Sequence, residues 1–283
     1  MERSQTPQGN RMSTVLGRRL GGELTKHRLA AGLTQGQAAK VISASTGKVA
    51  RMESGWVPMR DPDIRILCEL YEVSDPATVG GLLELARVDR ERRKAKGWWS
   101  EFPGLGAMKE YVTLEHAATA IKTWQLAFIP GLLQTPDYIR ALNPDERLVT
   151  MRTKRQQRLT DNAPLCMQAV IFEAGLRCIV GSPTVMRGQL DHLANMAGRP
   201  NVTVQVLPFT AGAQLGMDCA FNILSFASPG SMDVVYMETL RTELWVEGGE
   251  EASVYDTLFE RIAARALDED ASQAFIRRLS KEL

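Results

Sequence analysis

Residues 34–55 read TQGQAAKVISASTGKVARMESG. Thr34 stands where it can cap a helix in which Ala38, Ala39 and Ile42 recur at helical spacing and turn inward, leaving Gln35 exposed at its start. Ser43 and Ala44 make a turn. Ser45 then caps a second short helix that commits Val49 and Met52 to the core. What remains outside is Thr46, Gly47, Lys48 and Arg51, with no large apolar side chain among them and no acid before Glu53. A solvated helix face normally carries both signs of charge in alternation. A face of small hydrogen-bonding groups and cations suits a polyanion whose edges offer acceptors.

The flanking sequence continues the helical pattern. Upstream, Leu16, Leu20, Leu24 and Ala31 recur among Arg18, Arg19, Lys26 and Arg28, and Gly32 ends that helix. Downstream, DPDIRILCELYEV buries Ile64, Leu67 and Leu70, with Pro62 acceptable in a first turn. A fifth helix is expected from Pro76 to about Lys94. Over about Leu16 to Glu84 the chain resembles the helix-turn-helix domain of the lambda-repressor-like (XRE) transcription regulators. The resemblance rests on TQ opening one helix, an Ala in its middle, and Ser-x-x-x-Val-x-Arg-Met-Glu-x-Gly across the next. It implies a recognition helix in the major groove of double-stranded DNA, with Thr46, Gly47 and Arg51 facing bases and Ser45 and Lys48 beside them. Gln35 would meet a phosphate at a helix N-terminus, and Arg60 could reach another. Arg51 suits guanine, because its planar fork matches the O6/N7 acceptor pair. Gly47 either permits close backbone approach or is a weak helix position. Trp56 is expected to pack over the following loop. Where Ser43 stands the family often has Gly, so a left-handed turn there would cost about 1 kcal/mol, or the turn is built differently.

At 283 residues two domains are the default. Net charge is +1, but it is unevenly distributed. Residues 1–99 carry 17 Lys/Arg against 11 Asp/Glu, a net of +6, and the remainder carries 17 against 22, a net of −5. A basic module joined to an acidic one suggests a polyanion at one end and another partner at the other. The opening MERSQTPQGNRMS is polar and lacks the apolar core of a signal peptide, so a cytoplasmic protein with no membrane segment is expected. Cys68, Cys166, Cys178 and Cys219 are widely spaced in apolar surroundings, which favours reduced, buried thiols over disulfides or zinc. The expected organisation is a disordered arm (1–13), the helix-turn-helix domain (14–86), a basic linker helix (87–99) and a mixed α/β domain (100–283).

In the junction RVDRERRKAKGWW, residues 87–99, six basic residues accompany Asp89 and Glu91. The run is a solvated helix face, an extra phosphate contact or a patch for a partner. Trp98 and Trp99 are expected to pin the linker onto the second domain. Beyond it, a helical stretch is expected to end near Trp124. A basic amphipathic segment with Arg152, Arg155 and Arg158 comes next. LCMQAVIFE and NVTVQVLPF read as strands around the helix PTVMRGQLDHLANMAG, which implies one parallel crossover. CAFNILSF, MDVVYMETL and ELWVE read as further strands, before two terminal helices. The fold class is therefore α+β, a five-helix bundle followed by a mixed α/β domain. This half resembles the C-terminal domain of unknown function that follows an XRE module in actinomycete regulators of the WhiJ type. The matching pieces are GWW, PGLLQTPDY, RQxR, RPNVTVQVLPF, VVYMETL and ASxxFIRR. Such regulators are often encoded beside a small partner protein, and Leu132, Leu133 and Tyr138 of PGLLQTPDY either contact that partner or fill the core.

His27, His116 and His192 stand apart, neither G-x-S-x-G nor a P-loop occurs, and GLGAMK lacks the third glycine of a dinucleotide loop. Asp268, Glu269 and Asp270 precede the last helix, where capping accounts for them. The expectation is thus a non-enzymatic, sequence-specific DNA-binding regulator without metal or cofactor. It would be a homodimer on an inverted-repeat operator, its second domain dimerising and sensing a small ligand or a partner protein encoded nearby. The alternative is a toxin-like enzyme domain with an autoregulatory helix-turn-helix.

Overall fold

The computed structural model describes residues 13–94, 97–102, 108–227, 233–239, 242–247 and 249–283. The arm expected at 1–13 lies outside these but for its last residue, and so does most of GLGAMK. The fold is α+β, in two compact units, Met1–Gly97 and Trp98–Leu283.

The first unit contains α1 (Val15–Ala30), α2 (Gln35–Val41), α3 (Thr46–Glu53), α4 (Asp61–Leu70) and α5 (Pro76–Lys94). Leu20, Leu24, Ala38, Ala39, Val49, Met52, Ile64 and Leu67 form its core. Removing each larger aliphatic side chain from water contributes about 1.5–3 kcal/mol. Caps set the helix starts. Thr34 and Gln37 form a reciprocal capping box on α2, and the Ser45 hydroxyl accepts from Lys48 N–H at 3.2 Å on α3. Ser43 has a φ of 50°, so the turn between α2 and α3 is left-handed although its residue carries a Cβ.

Of the linker helix expected at 87–99, residues 87–94 and 97–99 are described. Residues 87–94 are the last turns of α5, and salt bridges consume much of their charge within the unit. Arg87 pairs with Glu84 and Glu91, Arg90 with Asp61, and Arg93 with Asp89. Trp98 and Trp99 belong to the second unit, where the buried Trp99 ring lies 5.0 Å from His116.

The second unit contains α6 (Met108–Ala117), β1 (Ala120–Gln125), α7 (Pro136–Leu142), α8 (Glu146–Gln156), β2 (Cys166–Phe172), α9 (Glu173–Arg177), α10 (Pro183–Met196) and β3 (Val202–Leu207). β4 (Phe221–Ser225), β5 (Val234–Glu238), β6 (Glu243–Glu247), α11 (Gly249–Ala263) and α12 (Glu269–Glu282) complete it. The described strands form one mixed sheet of order β3-β2-β1-β4-β5-β6, parallel across β3, β2 and β1 and antiparallel beyond. The β2-α10-β3 crossover is parallel, as its spacing implies. The helical stretch expected to reach Trp124 ends at Ala117, and Ala120–Gln125 is instead a central strand. Trp124 stands in register between Val170 and Phe221 and packs with them, Phe259 and Ile262 under α11.

The outer edge of β3 is occupied. Val206 N–H donates to the Ser272 hydroxyl at 2.9 Å, and its carbonyl accepts from Leu267 N–H at 2.9 Å, so the segment entering α12 covers that ladder. Asp268 caps α12, its carboxylate accepting from Ala271 N–H at 2.7 Å.

Leu132, Leu133 and Tyr138 are core residues, at 3%, 0% and 0% exposure. Of the two readings of PGLLQTPDY, partner contact and core, this burial fits the core and corrects the contact assignment. The turn-rich backbone folds its apolar side chains inward, and the Tyr138 hydroxyl accepts from Ile129 N–H at 3.3 Å. Arg155 is also buried and binds Glu115 through two hydrogen bonds of 2.7 Å. The cysteines are free, but only Cys68 is buried; Cys166 and Cys178 are exposed and Cys219 is half-buried.

Candidate nucleic-acid interface

Burial of Val49 and Met52 fixes which way α3 faces, and it places Thr46, Gly47 and Arg51 in solvent. A Cβ on Gly47 would meet nothing within 4 Å, so no internal crowding demands a glycine there. The Arg51 guanidinium has no hydrogen bond or ion pair among the described residues. Ser45 is exposed, and its hydroxyl, while accepting the capping bond, keeps its O–H free to donate. The presented face therefore offers two hydroxyls, an open backbone position and an uncommitted guanidinium.

Lys48 and Arg60 flank this face, and one carboxylate holds both. Asp63 is 4% exposed. It accepts from Arg60 Nη2 at 2.8 Å and from Arg60 Nε at 3.1 Å, and Lys48 Nζ lies 3.6 Å from its Oδ2. These hydrogen bonds raise the Arg60 pKa above its ordinary value. Asp63 thus ties the start of α3 to the start of α4 and sets where two cations stand. Sequence reading did not single it out, although the Arg60/Asp63 spacing of i, i+3 is a visible signal.

Gln35 differs from its expected role. Its side chain is half-buried, and Nε2 donates to Glu53 Oε2 at 2.7 Å. Glu53 also receives Arg28, through Nε at 2.6 Å and Nη2 at 2.9 Å, while Arg28 Nη1 donates to the Leu33 carbonyl at 2.8 Å. Burial pushes the Glu53 carboxyl upward, but the hydrogen bonds from Arg28 and Gln35 outweigh it and hold the group below its ordinary range. The Gln35 amide is therefore a strut between α2 and the end of α3, with its carbonyl oxygen and second N–H left over.

A second junction fixes the same, C-terminal end of α3. Arg93 donates to the Gly55 carbonyl at 2.6 Å and to the Thr14 hydroxyl at 2.7 Å, and Thr14 also binds Asp89. Gly17 and Gly21 bring α1 onto the backbone of residues 53–55. Neither this hub nor the glycine contact was read from the sequence. The signal for the contact was a glycine pair at i, i+4 inside a helix. Trp56, expected to pack over the loop, is 48% exposed at the C-terminal end of α3.

Among the described residues no group of three or more His, Cys, Asp or Glu could hold a metal ion, and no helix is long and apolar enough to cross a membrane. A family model described as a helix-turn-helix domain matches residues 19–79. A second, described as a domain of unknown function (DUF5753), matches residues 108–278. No curated protein and no solved structure matches the chain.

Proposed function

Because the chain belongs to the DUF5753 family and carries a helix-turn-helix domain ahead of that region, we propose that it is a cytoplasmic, sequence-specific DNA-binding transcriptional regulator of the XRE kind. The observation that carries this reading is the outward face of α3, exposed and free of acids at Thr46, Gly47 and Arg51, with Lys48 and Arg60 fixed on either side by Asp63. Arg51 reads a base, Thr46 and Ser45 contact base edges or the adjoining backbone, and the backbone at Gly47 approaches the groove floor. Lys48 and Arg60 contact phosphates, while Gln35 positions α2 and offers its remaining N–H. Base contacts give the preference and the phosphate contacts give register.

The working species is a homodimer on inverted half-sites about one helical turn apart. A single unit of this size buries roughly 600–1,000 Å² on DNA, which seldom gives a regulator's affinity alone. The second unit supplies self-association and receives the signal, from a small ligand or a small protein encoded nearby, and has no catalytic task.

Selection of binding sites from random duplex DNA, with the wild-type chain and with Arg51→Ala, tests the reading. The expected result is an inverted repeat whose preference disappears at one position per half-site in the variant. Failure of the wild-type chain to enrich any sequence, or an unchanged preference in the variant, would overturn it.

A further inference from the structure

We propose that a groove on the second unit binds an acidic amphiphile, a molecule with one anionic headgroup and an apolar body; this deepens the signal-receiving role given to that unit and rests on that role for its regulatory meaning. Two adjoining cavities make the groove. The larger, of about 1210 Å³, lies between α11 and β4–β6, with Phe221, Met237, Val246, Tyr255 and Leu258 in its wall. The smaller, of about 400 Å³, shares Leu215, Leu258 and Arg261 with it and adds Gln214, Ile262 and Arg265. Ligand pockets commonly measure 300–1,000 Å³, so the pair has room for an extended body.

The charges are segregated along α11. The smaller cavity is lined by two arginines and no carboxylate. Arg261 has no hydrogen bond or ion pair among the described residues, and Arg265 Nη2 donates only to the Ala211 carbonyl, at 3.3 Å. Elsewhere on the same helix two acids are already matched, since Asp256 and Glu260 bind Lys122 at 2.5 and 2.7 Å. Cations at a helix C-terminus are favoured by its dipole, but that effect needs no cavity beside them. Asp218 and Glu251 stand in the wall of the larger cavity. Glu251 is ten residues before Arg261, about 15 Å along the helix. The Glu251 charge repels an anion from that end and sets the polarity of the ligand, headgroup at Arg261 and Arg265 and body across Leu258 toward Phe221 and Met237. At the rim, Leu215 and Val254 are 66% and 64% exposed, large apolar side chains left in water until such a body covers them.

The test is equilibrium binding by calorimetry on the full chain without DNA, using dodecanoate, dodecyltrimethylammonium and dodecanol below their micellar or solubility limits. Saturable dodecanoate binding is expected, at least tenfold tighter than for either analogue. Arg261→Gln combined with Arg265→Gln should weaken dodecanoate at least tenfold and leave dodecanol unchanged. Val254→Glu, at an exposed position where folding is insensitive, should weaken dodecanoate by a similar factor. Absence of saturable dodecanoate binding overturns the proposal, as does equal or tighter binding of the cation, or wild-type affinity in the double arginine variant. The DNA-binding reading is tested without any amphiphile, so either can fail alone.

Discussion

Gly21 of α1 lies directly against the Glu53 carbonyl at the end of α3, so close that a Cβ built at Gly21 overlaps the Glu53 backbone. The obstacle is backbone at the helix terminus, which cannot rotate aside. Gly21→Ala should therefore destabilise the first unit by about 3 kcal/mol or more, the upper end of overpacking costs. Gly22, its neighbour, meets nothing within 4 Å. Gly22→Ala should stabilise by about 0.5–1 kcal/mol through helix propensity. Denaturant unfolding of the two variants should show opposite displacements of the midpoint.

Phosphate and base contacts should separate by salt. Lys48→Ala and Arg60→Ala should each weaken binding evenly across sequences and reduce the slope of log K against log salt by about 0.9. Arg51→Ala should cost about 1–3 kcal/mol on the preferred site and relax one base position. Titrations at several salt concentrations, on selected and scrambled duplexes, measure both; an unchanged slope in Arg60→Ala removes its phosphate assignment.

The left-handed turn at Ser43 predicts a gain. A residue with a Cβ at a φ of 50° carries about 1–2 kcal/mol of strain, part of which glycine returns as extra freedom in the unfolded chain. Ser43→Gly should raise stability by about 0.5–1 kcal/mol without altering DNA affinity, as thermal melts and binding titrations of the purified variant would show.

Acid should loosen the first unit through Glu53. Its folded pKa lies below the ordinary 4.5, so its contribution is present above that value and is lost as pH falls through the folded one. The loss detaches Arg28 and Gln35 together. Glu53→Gln should lower stability at neutral pH and flatten the dependence below pH 4.5, measured by denaturant midpoints across an acid series.

In the second unit, Arg155→Ala should cost about 3–5 kcal/mol, because it leaves the buried Glu115 carboxylate without its cation. Replacing both, with Glu115→Leu and Arg155→Met, should cost far less. If the double variant is no more stable than Arg155→Ala, the pair is worth more than its separate desolvation.

What was legible in the sequence followed from local rules. The caps at Thr34, Ser45 and Asp268 and the inward stripe Ala38, Ala39, Ile42, Val49 and Met52 each depend on neighbours within one helical turn. β1 was missed because Ile121 and Trp124 are three residues apart, a spacing a helix also satisfies, and its burial comes from strands far along the chain. Leu132, Leu133 and Tyr138 sit among Pro and Gly, where composition suggests an exposed loop and only tertiary packing shows core. On the outward face of α3 the side chains themselves were readable, while the groups that hold them were not. Asp63 serves cations from two helices, Glu53 answers Arg28 across 25 residues, and Arg93 reaches Thr14 across 79.

The covering of β3 by the segment around Leu267 and Ser272 sets an order of events in synthesis. Until those residues leave the ribosome, the Val206 N–H and carbonyl have no partner there, and the parallel half of the sheet presents an open ladder to any strand nearby. Final closure of this unit therefore waits on Leu267 and Ser272, and a chain halted before Leu267 would be the species most in need of a chaperone.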